Sequence, residues 1–157
     1  MQDTDIKQNF LNSMRGITST VNVISAAAEG QRHAMTATSV TSLSLDPPSM
    51  LVCINKDASL HKILLDNSNF CINVLSSLQK ELAEVCSSSE EGESRFVSES
   101  WKDQGPYIYN KDALSNIFCT KTNQVDHTSH TIFIGTVDRV INCPNLKPLL
   151  YGSGRYL

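Results

Sequence analysis

The sequence predicts a mainly β protein, an antiparallel barrel, closed or split, with helices at its periphery. Three observations carry this. Short runs rich in Val, Ile, Thr and Phe recur between turn signals, giving about six or seven strands and about three helices. Strands and helices do not alternate one by one, which speaks against a parallel sheet. There is no internal repeat, and 157 residues suit one domain, 1–157, with its own core.

Residues 5–15 open the chain as a helix, because Ile6, Phe10, Leu11 and Met14 form one apolar stripe and Gly16 suits a C-terminal stop. That stripe fits the open end of a barrel or a second subunit. Residues 17–26 read as a strand, Glu29-Gly30 as a turn, and residues 33–44 as the returning arm of a hairpin. Asp46-Pro47-Pro48 is expected to end the pairing, since proline has no N–H to donate. Residues 50–54 form a continuous apolar strand, followed by a short helix with Leu60, Ile63 and Leu64 on one face. Residues 70–75 are largely apolar on both faces and read as a central strand, in which Asn73 needs a hydrogen-bond partner. Residues 76–86 read as a helix, with capping-box spacing between Ser76 and Gln79. Residues 87–95 (SSSEEGESR) read as an acidic, solvated linker, and Gln104-Gly105-Pro106 as a turn. A strand over 113–122, a loop over 123–129 and the longest strand over 130–141 follow. Gly135 inside that last strand suggests a bulge or a close approach.

Composition removes several classes of function. A net charge of −3 without a basic stripe argues against nucleic acid as a partner. The apolar runs are far shorter than a membrane span. The N-terminus MQDTDIKQNF lacks the basic and apolar regions of a secretory signal. The five cysteines are odd in number, irregular in spacing and without a C-x-x-C pair. They suggest buried free thiols in a reducing cytoplasm rather than zinc ligands. No G-x-G-x-x-G, Walker A, H-E-x-x-H or G-x-S-x-G pattern occurs, and no carboxylates share an apolar context. So few catalytic-looking side chains suit an enzyme whose cofactor performs the reaction.

Residues 33–48 (HAMTATSVTSLSLDPP) carry six hydroxyls, on Thr36, Thr38, Ser39, Thr41, Ser42 and Ser44. Small side chains and compact donors suit a planar ligand with a phosphate tail. The same residues suit a half-solvated edge strand on β-propensity alone. Lys56 and Ser59 stand where a strand enters a helix, a place that favours an anion, although Asp57 opposes it. Asp57 or Ser59 as a plain N-cap fits equally well.

Residues 37–48 (ATSVTSLSLDPP) resemble the signature segment of the short-chain flavin reductase family, the reductase components of two-component monooxygenases. Residues 50–55 (MLVCIN), 70–75 (FCINVL), 130–137 (HTIFIGTV) and 148–156 (PLLYGSGRY) resemble later segments of that family, in its order. The resemblance spans about residues 14–156. It implies an FMN-binding split barrel of antiparallel Greek-key type, and hydride transfer from NADH or NADPH, nicotinamide C4 to flavin N5, on FMN or FAD. It also implies a homodimer and a separate oxygenase component. By this resemblance Met35, Thr36, Ala37, Thr38, Ser39 and Val40, with Ser42 and Ser44, edge the isoalloxazine and ribityl chain. Cys53, Ile54 and Asn55 continue the pocket floor, and Lys56 and Ser59 lie near the phosphate. His130 matches the family's late histidine, the catalytic candidate on the nicotinamide side, while Arg155 and Tyr156 match its Gly-Arg-Tyr segment. His130 also suits a plain surface strand, and Arg155 a weak C-terminal ion pair. The chain departs from the family twice. Thr128-Ser129 stands before His130 where Gly-Asp is usual, and Gly152-Ser153 stands where His-Arg is common. A flavin-binding carrier or sensor of the same fold is the alternative. An oxidase of pyridoxamine-phosphate type would be expected to offer more basic residues.

Overall fold

The computed structural model describes residues 3–88 and 92–157. Helix α1 (Asp3–Arg15) precedes β1 (Ser19–Thr20), β2 (Asn22–Ala28), β3 (Gln31–Ala37), β4 (Val40–Leu45) and β5 (Pro48–Asn55). Helix α2 (Ser59–Asp66), β6 (Asn69–Val74) and α3 (Lys80–Ser87) come next. A 3-10 turn at Gly92–Phe96 leads to β7 (Trp101–Gln104), β8 (Tyr107–Asn110), β9 (Ser115–His127) and β10 (His130–Asn142). Strands β11 (Leu150–Gly152) and β12 (Arg155–Tyr156) close the chain.

Seven strands pair in the order β3-β2-β6-β9-β10-β5-β4, all antiparallel. Strands β3 and β4 lie at opposite edges of this sheet, yet only Thr38 and Ser39 separate them. Such a link spans at most about 11 Å. The sheet therefore has to curl until its edges meet at that end, as in a split barrel. Alternation along β2 divides the core. Ile24 and Ala26 face inward with Val52, Ile54, Phe70, Ile72, Cys119 and Phe133, and α2 adds Leu60 and Leu64. Val23 faces outward to Ala34, Leu75, Ala83, Phe96, Trp101 and Ile108, the layer formed with α3 and the β7–β8 hairpin.

The central strand and its Asn73 behave as expected. β6 lies between β2 and β9, and the fully buried Asn73 amide donates to Val23 O at 2.8 Å and Ser25 Oγ at 2.9 Å. Gly135 is both a bulge and a close approach. Register shifts beside it, and an added Cβ would stand 2.8 Å from Phe70 Cζ and 2.9 Å from Cys119 Cβ. The turn at Glu29-Gly30 has φ of 51° and 75°, the positive values of a two-residue hairpin.

Elsewhere long-range pairing overrides local pattern. The strand expected over 33–44 is two strands: β3 pairs with β2, while β4 pairs with β5. Asp46-Pro47 does not end pairing; it turns the β4–β5 hairpin, and Pro48 opens β5 opposite Leu45, where no N–H is needed. Helix α3 starts at Lys80, not at residue 76; Gln79 Oε1 still accepts from Ser76 N at 3.1 Å, half of the expected capping box. The polar stretch 123–127 continues β9 in pairing with β10, leaving only Thr128 and Ser129 as the turn. Of the expected linker 87–95, residues 89–91 lie outside the described residues, and Gly92–Phe96 is helical. On α1 the apolar stripe is outward: Ile6, Phe10, Leu11 and Met14 are 45–61% exposed. Among the described residues no helix is long and apolar enough to cross a membrane.

Candidate functional site

The β3–β4 joint, α3 and the C-terminal hairpin border an open cleft of about 640 Å³. Thr36, Ala37 and Thr38 form one wall, Lys80, Glu84 and Ser87 a second, and Arg155 and Tyr156 a third. The α3 residues recur with helical spacing and so share one face. Thr36 holds that helix in place, its hydroxyl donating to Ala83 O at 2.6 Å. Lys80 pairs with Glu84 at 3.7 Å. Burial raises the Tyr156 phenol pKa, and the Glu84 carboxylate adds to the rise. A second cavity, about 520 Å³, opens under α1 beside Leu11, Met14 and Ile17, and shares Thr38, Tyr151 and Gly154 with the first. The C-terminal hairpin stands here because Ser153-Gly154 turns tightly, with φ of 53° and 76°, and Tyr151 packs edge-on to Tyr156 at 5.3 Å.

The expected residues of β5 and β10 gather a short way along the sheet. Cys53 N donates to Ser39 O at 3.0 Å, so the β3–β4 joint runs directly into β5. His130 lies opposite Asn55 in the β5–β10 register, and Lys56 N donates to Ser129 O at 2.9 Å. His130 is exposed, with Nδ1 2.9 Å from Ser129 Oγ. Asn55 Oδ1 accepts from Asp57 N at 2.9 Å, and Ala58 is the α2 N-cap without a side-chain cap bond. Neither Asp57 nor Ser59 caps the helix.

Some of the expected residues point elsewhere. Ile54 is fully buried in the barrel core, and Met35 and Val40 are half-buried and pack against it. Ser42 is exposed on edge strand β4, and Ser44 is engaged in its own turn, its Oγ accepting from Asp46 N at 3.1 Å. Ser59 lines a separate cavity with Arg32, His33 and Lys62. Sequence reasoning missed Lys80, Glu84 and Ser87, although their spacing on one polar helix face was a signal. It also missed His61, which sits between Leu60 and Leu64 and is only 8% exposed. A histidine so placed requires a partner.

The comparisons with known proteins bear on all of these segments at once. The model of the "Flavin reductase like domain" matches residues 14–157. The chain belongs to that family. It is 38% identical over 155 residues to the reductase component of an FADH(2)-dependent resorcinol hydroxylase from Rhizobium, covering 96% of this chain and 86% of the relative. It is 32% identical over 152 residues to an FMN reductase (NADH), RutF, from Agrobacterium fabrum, covering 94% and 86%. The solved structure of an NADH:FAD oxidoreductase from Streptomyces globisporus superposes with a TM-score of 0.91 at 26% identity, covering 100% of this chain and 95% of that one. The antiparallel, mostly β architecture of this chain is thus that of a flavin reductase.

Proposed function

We propose that this chain is an NAD(P)H-dependent flavin reductase that reduces FMN or FAD and supplies the reduced flavin to a separate oxygenase. The observation that carries the reading is the meeting of two cavities at Thr38, Tyr151 and Gly154. Each is within the size range of ligand sites, about 300–1,000 Å³. The donor set fits a flavin. Thr38 and Ser39 are exposed at the joint between the sheet edges, and Arg155 offers a guanidinium fork for a phosphate of the nicotinamide donor. Bound flavin supplies a ring that accepts a hydride from the nicotinamide. In this reading residues 36–39 edge the ring, Asn55 and Lys56 approach the phosphate, and Arg155 with Tyr156 and His130 faces the nicotinamide donor. No side chain needs to move a proton in the hydride step; the protein's work is to stack the partners and exclude water.

Replacing His130 by Ala tests the reading against a carrier of the same fold. A carrier is favoured by one observation, the Ser129 hydroxyl beside His130 where the family usually has a carboxylate. A reductase loses about 10- to 100-fold in kcat/KM with flavin affinity kept. A wild-type protein that binds flavin without turnover contradicts the proposal.

The working protein is proposed to be a homodimer in a reducing cytoplasm. Two observations support this: the apolar stripe of α1 is exposed, as are Leu43 and Leu45 on β4, and all five cysteines are unpaired. Light scattering on the purified chain, giving the mass of two copies or of one, tests the dimer.

A further inference from the structure

Behind the β9–β10 tip, three side chains form a line of hydrogen bonds from helix to sheet. His61 is the third residue of α2, and its Nε2 lies 2.8 Å from Thr131 Oγ1. Thr131 is fully buried, and its hydroxyl donates to Asp126 Oδ1 at 2.7 Å. A hydroxyl has one proton. That proton goes to the carboxylate, so His61 Nε2 has to donate to Thr131. The ring is held from its side as well, edge-on to Phe133 at 5.5 Å. Burial lowers the His61 pKa, against the pull of the Asp126 carboxylate.

The location gives this line its meaning. Asp126 and Thr131 are the second register pair below the two-residue turn, after His127 and His130, and His130 is the neighbour of Thr131. His130 itself is exposed, and its side chain bonds to Ser129, in the same turn. Its position therefore depends on the backbone of the tip. The tip ends two 13-residue strands, a place that frays unless it is tied down. It is held by the ladders of β10 to β9 and to β5, which reaches His130 opposite Asn55, by Lys56 N donating to Ser129 O at 2.9 Å, and by the line from exposed Asp126 through buried Thr131 to α2. An apolar residue at position 131 would fill the same space beside Phe133 without ordering three groups. The polar line adds direction, not volume.

We propose that His61, Thr131 and Asp126 are positioning residues: they lock the β9–β10 tip onto α2 and so hold His130 where the nicotinamide half of the hydride donor needs it. This rests on the reading of His130 given above. Thr131→Val keeps shape and removes the hydroxyl. It is expected to lower kcat/KM for NADH about tenfold, while the flavin Kd, read from fluorescence quenching, stays within about twofold. Thr131→Ser restores the hydroxyl and the activity. In a His130→Ala background Thr131→Val then changes nothing further, because the group it positions has gone. Asp126→Asn repeats the test should Thr131→Val not fold. Unchanged kcat/KM in Thr131→Val, or an equal loss with and without His130, overturns the proposal while leaving the reductase intact. An inert His130→Ala instead removes the His130 reading, and the inference with it.

Discussion

Replacing Asn73 by Leu, which keeps the branch point but carries bulkier methyl groups, removes the polar centre of the fold. Its amide donates to Val23 O at 2.8 Å and Ser25 Oγ at 2.9 Å, and its carbonyl accepts from Asn110 N at 2.8 Å and Asn116 Nδ2 at 2.9 Å. Two of these partners keep an alternative: Ser25 still donates to Ile108 O at 2.6 Å, and Asn116 Nδ2 still reaches Asn110 O at 3.0 Å. Asn110 N–H and Val23 O lose their side-chain partner. One orphaned buried donor costs about 1–3 kcal/mol, and the weakened partners bring the total to about 3–4 kcal/mol. A chain of this size loses roughly 2–4 °C of Tm per kcal/mol, so the midpoint should fall by about 10 °C. Thermal unfolding followed by circular dichroism, with urea unfolding beside it, reads this directly. A Tm within about 2 °C of the parent refutes the claim that this network ties β2, β8 and β9 together.

Gly135→Ala places a Cβ 2.8 Å from Phe70 Cζ and 2.9 Å from Cys119 Cβ, both on fully buried residues. Overpacking of this kind costs about 1–3 kcal/mol, and a double variant that also carries Phe70→Leu should recover part of the loss in the same thermal assay. His33 is lowered from 6.5 to about 4, first by burial and then by Arg95, whose Nη1 lies 3.1 Å from its ring. The unfolded chain then binds a proton between pH 6.5 and about 4 that the folded chain refuses, so this stability is present above pH 6.5 and is lost as the pH falls through that window. Screening at a half-exposed ring leaves about 1–2 kcal/mol of it. His33→Gln should flatten the pH dependence of the urea midpoint over that range, and an unchanged slope counts against the pairing with Arg95.

What could be read from the sequence was what local chemistry alone decides. The largely apolar run at 70–75 could only be central, and Gly135 in a long strand could only mean a bulge or a close approach. The break at Thr38 and Ser39 was hidden because β-propensity runs on through both residues. What splits the strand is the distant pairing of β4 with β5. Residues 123–127 looked like a loop since all but Val125 are polar; they stay extended because β10 supplies the ladder. At the site, the Thr36–Thr38 wall and the Arg155–Tyr156 wall were each visible as segments, but their meeting across α3 is tertiary. Lys80, Glu84 and Ser87 looked like an ordinary solvated helix face, and the bond from His61 to Thr131, 70 residues apart, leaves no local trace.

The most direct test follows absorbance at the nicotinamide band with purified protein, NADH or NADPH, and added FMN or FAD in air. The reductase reading predicts rapid oxidation that requires both protein and flavin, and the faster flavin identifies the preferred acceptor. No oxidation above the free-flavin background, with flavin fluorescence still quenched on mixing, would contradict it and leave a flavin carrier.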